Sequence, residues 1–122
     1  MRKILVIEDE SLIRDNLLEL LEIEGFEAIG AENGQAGVQL AKEFHPDLIL
    51  CDVMMPELDG YGVLEALRQD PNTADTKFVF LTASADQINL MKIRGLGIDH
   101  ILKPFNVDKF LTLLNHQNDQ II

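Results

Sequence analysis

Cysteine is nearly absent from this sequence of 122 residues: Cys51 stands alone, tryptophan is missing and tyrosine occurs once. A single cysteine cannot close an internal disulfide, so a reducing compartment, the cytoplasm, is the expected setting. Cations are scarce as well. Ten Lys and Arg stand against 21 Asp and Glu, a formal charge of −11. Nucleic-acid backbones and anionic membranes are both bound by clustered Lys and Arg, so neither is an expected partner. The apolar run Ile4-Leu5-Val6-Ile7 meets Glu8 at once, which is too short for a signal peptide or a spanning helix. Internal repeats, low-complexity stretches and Ser/Gly/Pro-rich linkers are missing too. What remains is hydrophobic: 47% of the residues are apolar, enough for a core, and the length suits one domain.

Short apolar runs alternate with longer amphipathic ones. Lys3 to Ile7 reads as a first strand. Ser11 to Glu24 places Ile13, Leu17, Leu20 and Leu21 at helical spacing before Gly25 stops the helix. Phe26 to Ile29 is a weak second strand, and Asn33 caps a helix from Gly34 to Phe44. Asp47 to Asp52 is a third strand, almost wholly apolar. Pro56 and Gly60 mark a loop before a helix from about Tyr61 to Gln69. Lys77 to Thr82 is a fourth strand, followed by a helix from about Asp86 to Arg94 that Gly95 and Gly97 end. Ile98 to Leu102 is a fifth strand, and Asn106 caps a last helix reaching about Asn115. Five strands alternating with five helices predict an α/β domain with a parallel sheet, doubly wound into a three-layer sandwich.

In such sheets the ligand site lies beyond the carboxyl ends of the strands. Strand one ends in Glu8 and Asp9, strand three in Asp52, strand four in Thr82, and strand five just before Lys103. Carboxylates crowded together repel one another unless a cation shares the site, and oxygen-only donors suit a hard ion such as Mg²⁺. A lysine and a hydroxyl opposite them could hold an anionic oxygen. The set suits phosphoryl transfer onto a carboxylate. Read singly, each residue has an ordinary explanation: Glu8-Asp9-Glu10 as a solvated turn, Thr82 as a strand residue, Lys103 as an exposed lysine. Asp59, just before Gly60, reads as a cap or turn residue, and Cys51 as a buried, inert thiol.

Taken in order, Ile4-Leu5-Val6-Ile7-Glu8-Asp9-Glu10, Pro46-Asp47-Leu48-Ile49-Leu50-Cys51-Asp52-Val53-Met54-Met55-Pro56-Glu57-Leu58-Asp59-Gly60, Phe80-Leu81-Thr82-Ala83 and Lys103-Pro104-Phe105 resemble the receiver domain of the two-component response regulator family. The resemblance covers essentially the whole chain, 1–122, with about 116–122 left as a tail or linker. It implies a flavodoxin-like (βα)5 fold with strand order 2-1-3-4-5. It further implies that Asp52 accepts the phosphoryl group and that Asp9, Asp52 and the backbone carbonyl of Met54 bind Mg²⁺, with Glu8 helping through water. Lys103 would pair with Asp52 at rest and with a phosphoryl oxygen afterwards, and Thr82 would bond another such oxygen. Met54, Ala83 and Ser84 would influence the access of hydrolytic water, and Lys103-Pro104 would be a cis peptide. The implied partners are a sensor histidine kinase or histidine phosphotransfer protein, and a downstream protein or an effector domain outside this sequence. A homodimer through the fourth helix, fifth strand and fifth helix, with Lys92, Arg94 and Lys109, is a further implication. The domain would be a switch, not a turnover enzyme, assisting only its own phosphorylation and dephosphorylation.

One feature departs from the family pattern. The interval from Thr82 to Lys103 is a residue shorter than usual, and the place of the customary aromatic three before the lysine falls on His100 or Ile101. His100 is the candidate switch, since a histidine can change charge near neutral pH. Three other functions compete. A receiver-like module that works without phosphorylation is disfavoured by the intact acid, hydroxyl and lysine set. A haloacid-dehalogenase-like phosphatase would want an Asp-x-Asp pair after strand one, where this chain has Glu8-Asp9-Glu10. A flavodoxin would need a Ser/Thr/Gly-rich phosphate loop at the same place.

Overall fold

Apolar alternation in the strands divides the interior into two halves, one on each face of a parallel sheet. In the computed structural model, which describes residues 2–83, 86–103, 108 and 110–115, the strands are Lys3–Ile7 (β1), Glu27–Ala31 (β2), Leu48–Asp52 (β3), Lys77–Ala83 (β4) and Asp99–Lys103 (β5). The helices between them are Ser11–Ile23 (α1), Gly34–Phe44 (α2), Gly60–Gln69 (α3) and Gln87–Leu96 (α4); residues 110–115 are helical as well. The strand order is β2-β1-β3-β4-β5, all parallel. The doubly wound, flavodoxin-like arrangement expected from the sequence is thus present.

Successive strand residues point to opposite faces. Leu5, Ile7, Ile49, Cys51, Phe78 and Phe80 pack on one side against Ala41, Val63, Leu67 and Ile93 of α2, α3 and α4. Ile4, Val6, Leu48, Leu50, Val79, Leu81 and Ile101 pack on the other side against Leu17 and Leu21 of α1 and against Phe110 and Leu114. Each such Leu or Ile contributes about 1.5–3 kcal/mol relative to exposure. Covering on both faces explains why every residue of β3 is buried.

Side-chain caps open three of the helices. Asn33 accepts from the Ala36 N–H at 2.8 Å, Asp59 from the Gly62 N–H at 2.9 Å and Asp86 from the Asn89 N–H at 3.1 Å. Asp59 is therefore the cap residue that its place before Gly60 suggested.

Several element boundaries differ from the sequence reading, three elements instructively. β2 lies over Glu27–Ala31 because Lys3 through Ile7 pair with that stretch, which carries Gly30 and Ala31 into the ladder against their weak strand preference. α4 runs through Gly95 to Leu96; only Gly97, at φ 70°, ends it, since packing of Leu90 and Ile93 outweighs the roughly 1 kcal/mol that a mid-helix glycine costs. β5 starts at Asp99 and includes Lys103, whose partner is Ala83 of β4. Among the described residues no helix is long and apolar enough to cross a membrane. The expectations for Ser84, the Lys103-Pro104 peptide, Phe105, Asn106, Lys109 and the 116–122 tail lie outside the described residues.

Candidate functional site

Sheet register brings together residues that the chain keeps far apart. β1 ends at Ile7, opposite Cys51, and Glu8 extends the strand by donating its N–H to the Ala31 carbonyl at 3.1 Å. Asp52 closes β3 opposite Leu81, Thr82 lies opposite Leu102, and Lys103 lies opposite Ala83. The strand ends therefore set Glu8, Asp9, Asp52, Thr82 and Lys103 along one edge. The Asp52 end of β3 is held from behind: the Val53 N–H donates to the Leu81 carbonyl at 3.1 Å, and the Gly60 N–H to the Val53 carbonyl at 2.8 Å. Gly60 has to be glycine, because a Cβ would fall on the carbonyl oxygen of Asp52.

One oxygen from each of the Glu8, Asp9 and Asp52 carboxylates can lie within 4.8 Å of the other two. Glu8 is fully buried at 0% exposure and Asp52 nearly so at 6%, whereas Asp9 is exposed. Lys103 reaches into the cluster. Its Nζ donates to Glu8 Oε1 at 2.6 Å and lies 3.1 Å from Asp52 Oδ1. The lysine thus pairs with both acids and sits closer to Glu8, where the sequence reading had it on Asp52 alone.

Burial chiefly, and then the Asp52 carboxylate beside it, push the Glu8 carboxyl up to about 8, against the opposing pull of Lys103. Burial disfavours the Lys103 ammonium, but Glu8 and Asp52 together outweigh it and hold the lysine above its ordinary value. Glu8 Oε2 is buried without a hydrogen-bond partner among the described residues. An orphaned buried carboxylate oxygen beside two other acids fits a hard divalent cation with oxygen donors.

The other predicted residues are placed as follows. Thr82 is buried on β4. Met54, two residues past Asp52, exposes its side chain, and its Sδ accepts from Asn89 Nδ2 at 3.7 Å. Ile101 is buried in the α1-side core, whereas His100 is partly exposed on the opposite strand face, in register with Phe80. Of the two residues left open by the shortened interval, Ile101 is thus enclosed and His100 partly exposed. Cys51 is fully buried, and burial, followed by the charges of Asp52 and Glu8, pushes its thiol well above the ordinary value.

Two arrangements had no counterpart in the sequence reading. Arg14 of α1 donates through Nη1 to the Glu8 carbonyl at 2.7 Å. Asn89 of α4 joins α3 to the loop after β3: it accepts from the Tyr61 hydroxyl at 2.5 Å while its amide donates to Asp86 and Met54. A polar Asn between Ile88 and Leu90 was the visible signal for the second; the first leaves no spacing signal.

Comparison with known proteins agrees with this geometry. The family model described as "Response regulator receiver domain" matches residues 4–115. The "Probable transcriptional regulator ycf27" of Porphyridium aerugineum is 42% identical over 107 residues, covering 85% of this chain and 42% of that protein. The chain therefore spans about two-fifths of the length of such curated relatives. The "Probable chemotaxis protein CheY" of Rhizobium etli is 35% identical over 109 residues, covering 88% of this chain and 84% of that one. Among solved structures, Vibrio cholerae chemotaxis protein CheY4 superposes with a TM-score of 0.85 at 26% identity, covering 95% of this chain and 98% of that one. A strand-end acid cluster on a 2-1-3-4-5 sheet, with the match over residues 4–115, shows that this chain belongs to the response regulator receiver domain family, the signalling-switch module of two-component systems.

Proposed function

We propose that Asp52 is the phosphoacceptor of this switch, taking a phosphoryl group from the phosphohistidine of a sensor histidine kinase or histidine phosphotransfer protein. The observation that carries this reading is the Lys103 ammonium held between Glu8 and Asp52 in a pocket of three acids. Glu8, Asp9 and Asp52, with the Met54 carbonyl, would hold Mg²⁺, Glu8 acting through water. Bound there, the ion would neutralise the pocket and draw charge from the phosphoryl oxygens.

The chain's own residues do the rest. An Asp52 carboxylate oxygen attacks phosphorus in line, and the P–N bond breaks with its electron pair passing to the imidazole. Lys103 exchanges its contact with Asp52 for one with a phosphoryl oxygen, and the Thr82 hydroxyl donates to another. The resulting acyl phosphate is cleared when water attacks phosphorus and the bond to Asp52 Oδ breaks, with Met54, Ala83 and Ser84 setting water's access. His100 acts as the switch residue in place of an aromatic. The output is a contact with a downstream protein or an effector domain in a cytoplasmic pathway. Exposed Ile88, Met91 and Leu102, with Lys92 and Arg94, support a homodimer face on α4 and β5.

Incubation with Mg²⁺ and acetyl phosphate should add one phosphoryl group to the intact mass, and none to Asp52→Asn. An unmodified parent would overturn this reading in favour of an interaction module that works without phosphorylation. His100→Ala should weaken phosphorylation-dependent partner binding; unchanged binding would remove His100 as the switch.

A further inference from the structure

α1 opens differently from the helices that follow it. Its N-cap, Glu10, makes no side-chain capping hydrogen bond, unlike Asn33, Asp59 and Asp86. Directly before it stand Glu8 and Asp9. Asp9 is exposed, and the Asp52 carboxylate beside it favours its swinging into solvent. The turn is restrained instead by Arg14. Its Nη1 donates to the Glu8 carbonyl at 2.7 Å, a short charge-assisted bond, while its own N–H donates to the Glu10 carbonyl at 2.9 Å. The side chain thus ties the first turn of α1 to the peptide that joins Glu8 to Asp9. β2 holds the preceding peptide, Ile7 to Glu8, through the Glu8 N–H and the Ala31 carbonyl. Gly30 of β2 makes the room: a Cβ there would stand 2.9 Å from Arg14 Cδ and 3.1 Å from Cγ.

We propose that Arg14 is a positioning residue for the divalent cation, holding the Glu8–Asp9 peptide so that the Asp9 carboxylate stays beside Asp52. The proposal rests on the Mg²⁺ reading above. It has a signature of sign. Arg14 is a cation next to an acidic pocket, so by charge alone its removal would tighten the binding of a second cation. Positioning requires the opposite.

The test titrates Mg²⁺ alone into the whole chain by calorimetry, at fixed pH and ionic strength, for the parent, Arg14→Met and Arg14→Lys. Met keeps an apolar stem over Gly30 and loses the donor; Lys keeps the charge and loses the planar fork. Mg²⁺ Kd should weaken about tenfold in Arg14→Met, the low end of what outer supports of a metal site supply, and by a smaller factor in Arg14→Lys. Melting in Mg²⁺-free buffer checks that each variant is folded. A folded Arg14→Met with equal or tighter Mg²⁺ binding overturns the proposal. Should that variant fail to fold, Arg14→Lys with parental affinity does the same. A parent that binds no Mg²⁺ overturns the metal reading itself, and the role of Arg14 with it.

Discussion

Lys103 and Glu8, 95 residues apart in the chain, meet at 2.6 Å in the acid pocket, closer than Lys103 and Asp52 at 3.1 Å. The carboxylate is fully buried and the lysine side chain is only 18% exposed. A pair this enclosed is barely screened by solvent, and the acid pays for its burial with a raised pKa.

That shift sets a pH dependence. Glu8 sits at about 8 in the fold against an ordinary 4.5. Between those values the folded state keeps a proton that the unfolded state has lost, so stability is full below the ordinary value and falls as pH rises through the folded one. The upward shift of Lys103 acts only above 10.5, outside this window. The Mg²⁺-free melting midpoint should therefore drop from about pH 5 to pH 8, less steeply in Glu8→Gln, and Mg²⁺ should restore it at the upper end. Matching slopes for parent and variant would contradict the account.

Removing the lysine should expose the same cost. Lys103→Met leaves Glu8 Oε1 and Asp52 Oδ1 without their common cation, and urea unfolding at pH 8 should show a loss of about 1–3 kcal/mol. The loss should shrink toward pH 5, where Glu8 is protonated in the folded parent and needs the lysine less. A pH-independent loss would mean that packing, not charge, is what Lys103 contributes.

Asp59 tests the difference between a cap and a ligand. Its carboxylate accepts from the Gly62 N–H at 2.9 Å, so Asp59→Ala should cost about 1 kcal/mol of stability while leaving the Mg²⁺ Kd within about twofold of the parent. A large loss of Mg²⁺ affinity in the folded variant would place it among the ligands.

Gly60 should tolerate no side chain. In Gly60→Ala the new methyl group meets the Asp52 carbonyl and Val53 Cα, forcing a backbone shift that costs about 1–3 kcal/mol. Because the shift falls on the strand end that carries Asp52, phosphorylation by acetyl phosphate should slow as well. Full stability with parental phosphorylation would show that the loop can give way.

Much of the fold was visible in local pattern. The apolar runs of β1, β3 and β4 and the helical spacing of Leu17 and Leu21 are local properties, and so are the caps at Asn33 and Asp59. Where a neighbour overrides local preference, the element boundary moves. Gly30 and Ala31 enter β2 because β1 pairs with them, and Gly95 stays helical because Leu90 and Ile93 are buried on either side of one turn.

The amino-acid sequence by itself determined the order of strands and helices and put an acid, a hydroxyl or a lysine at the end of each relevant strand. Those are consequences of hydrophobic period and of residue type. Which acid lies buried and which faces solvent was decided only by tertiary structure, as were the preference of Lys103 for Glu8, the burial of Ile101 beside a partly exposed His100, and the Arg14 tie to the Glu8 carbonyl. Each depends on strand register and on how helices cross the sheet, relations between segments tens of residues apart that no local spacing records.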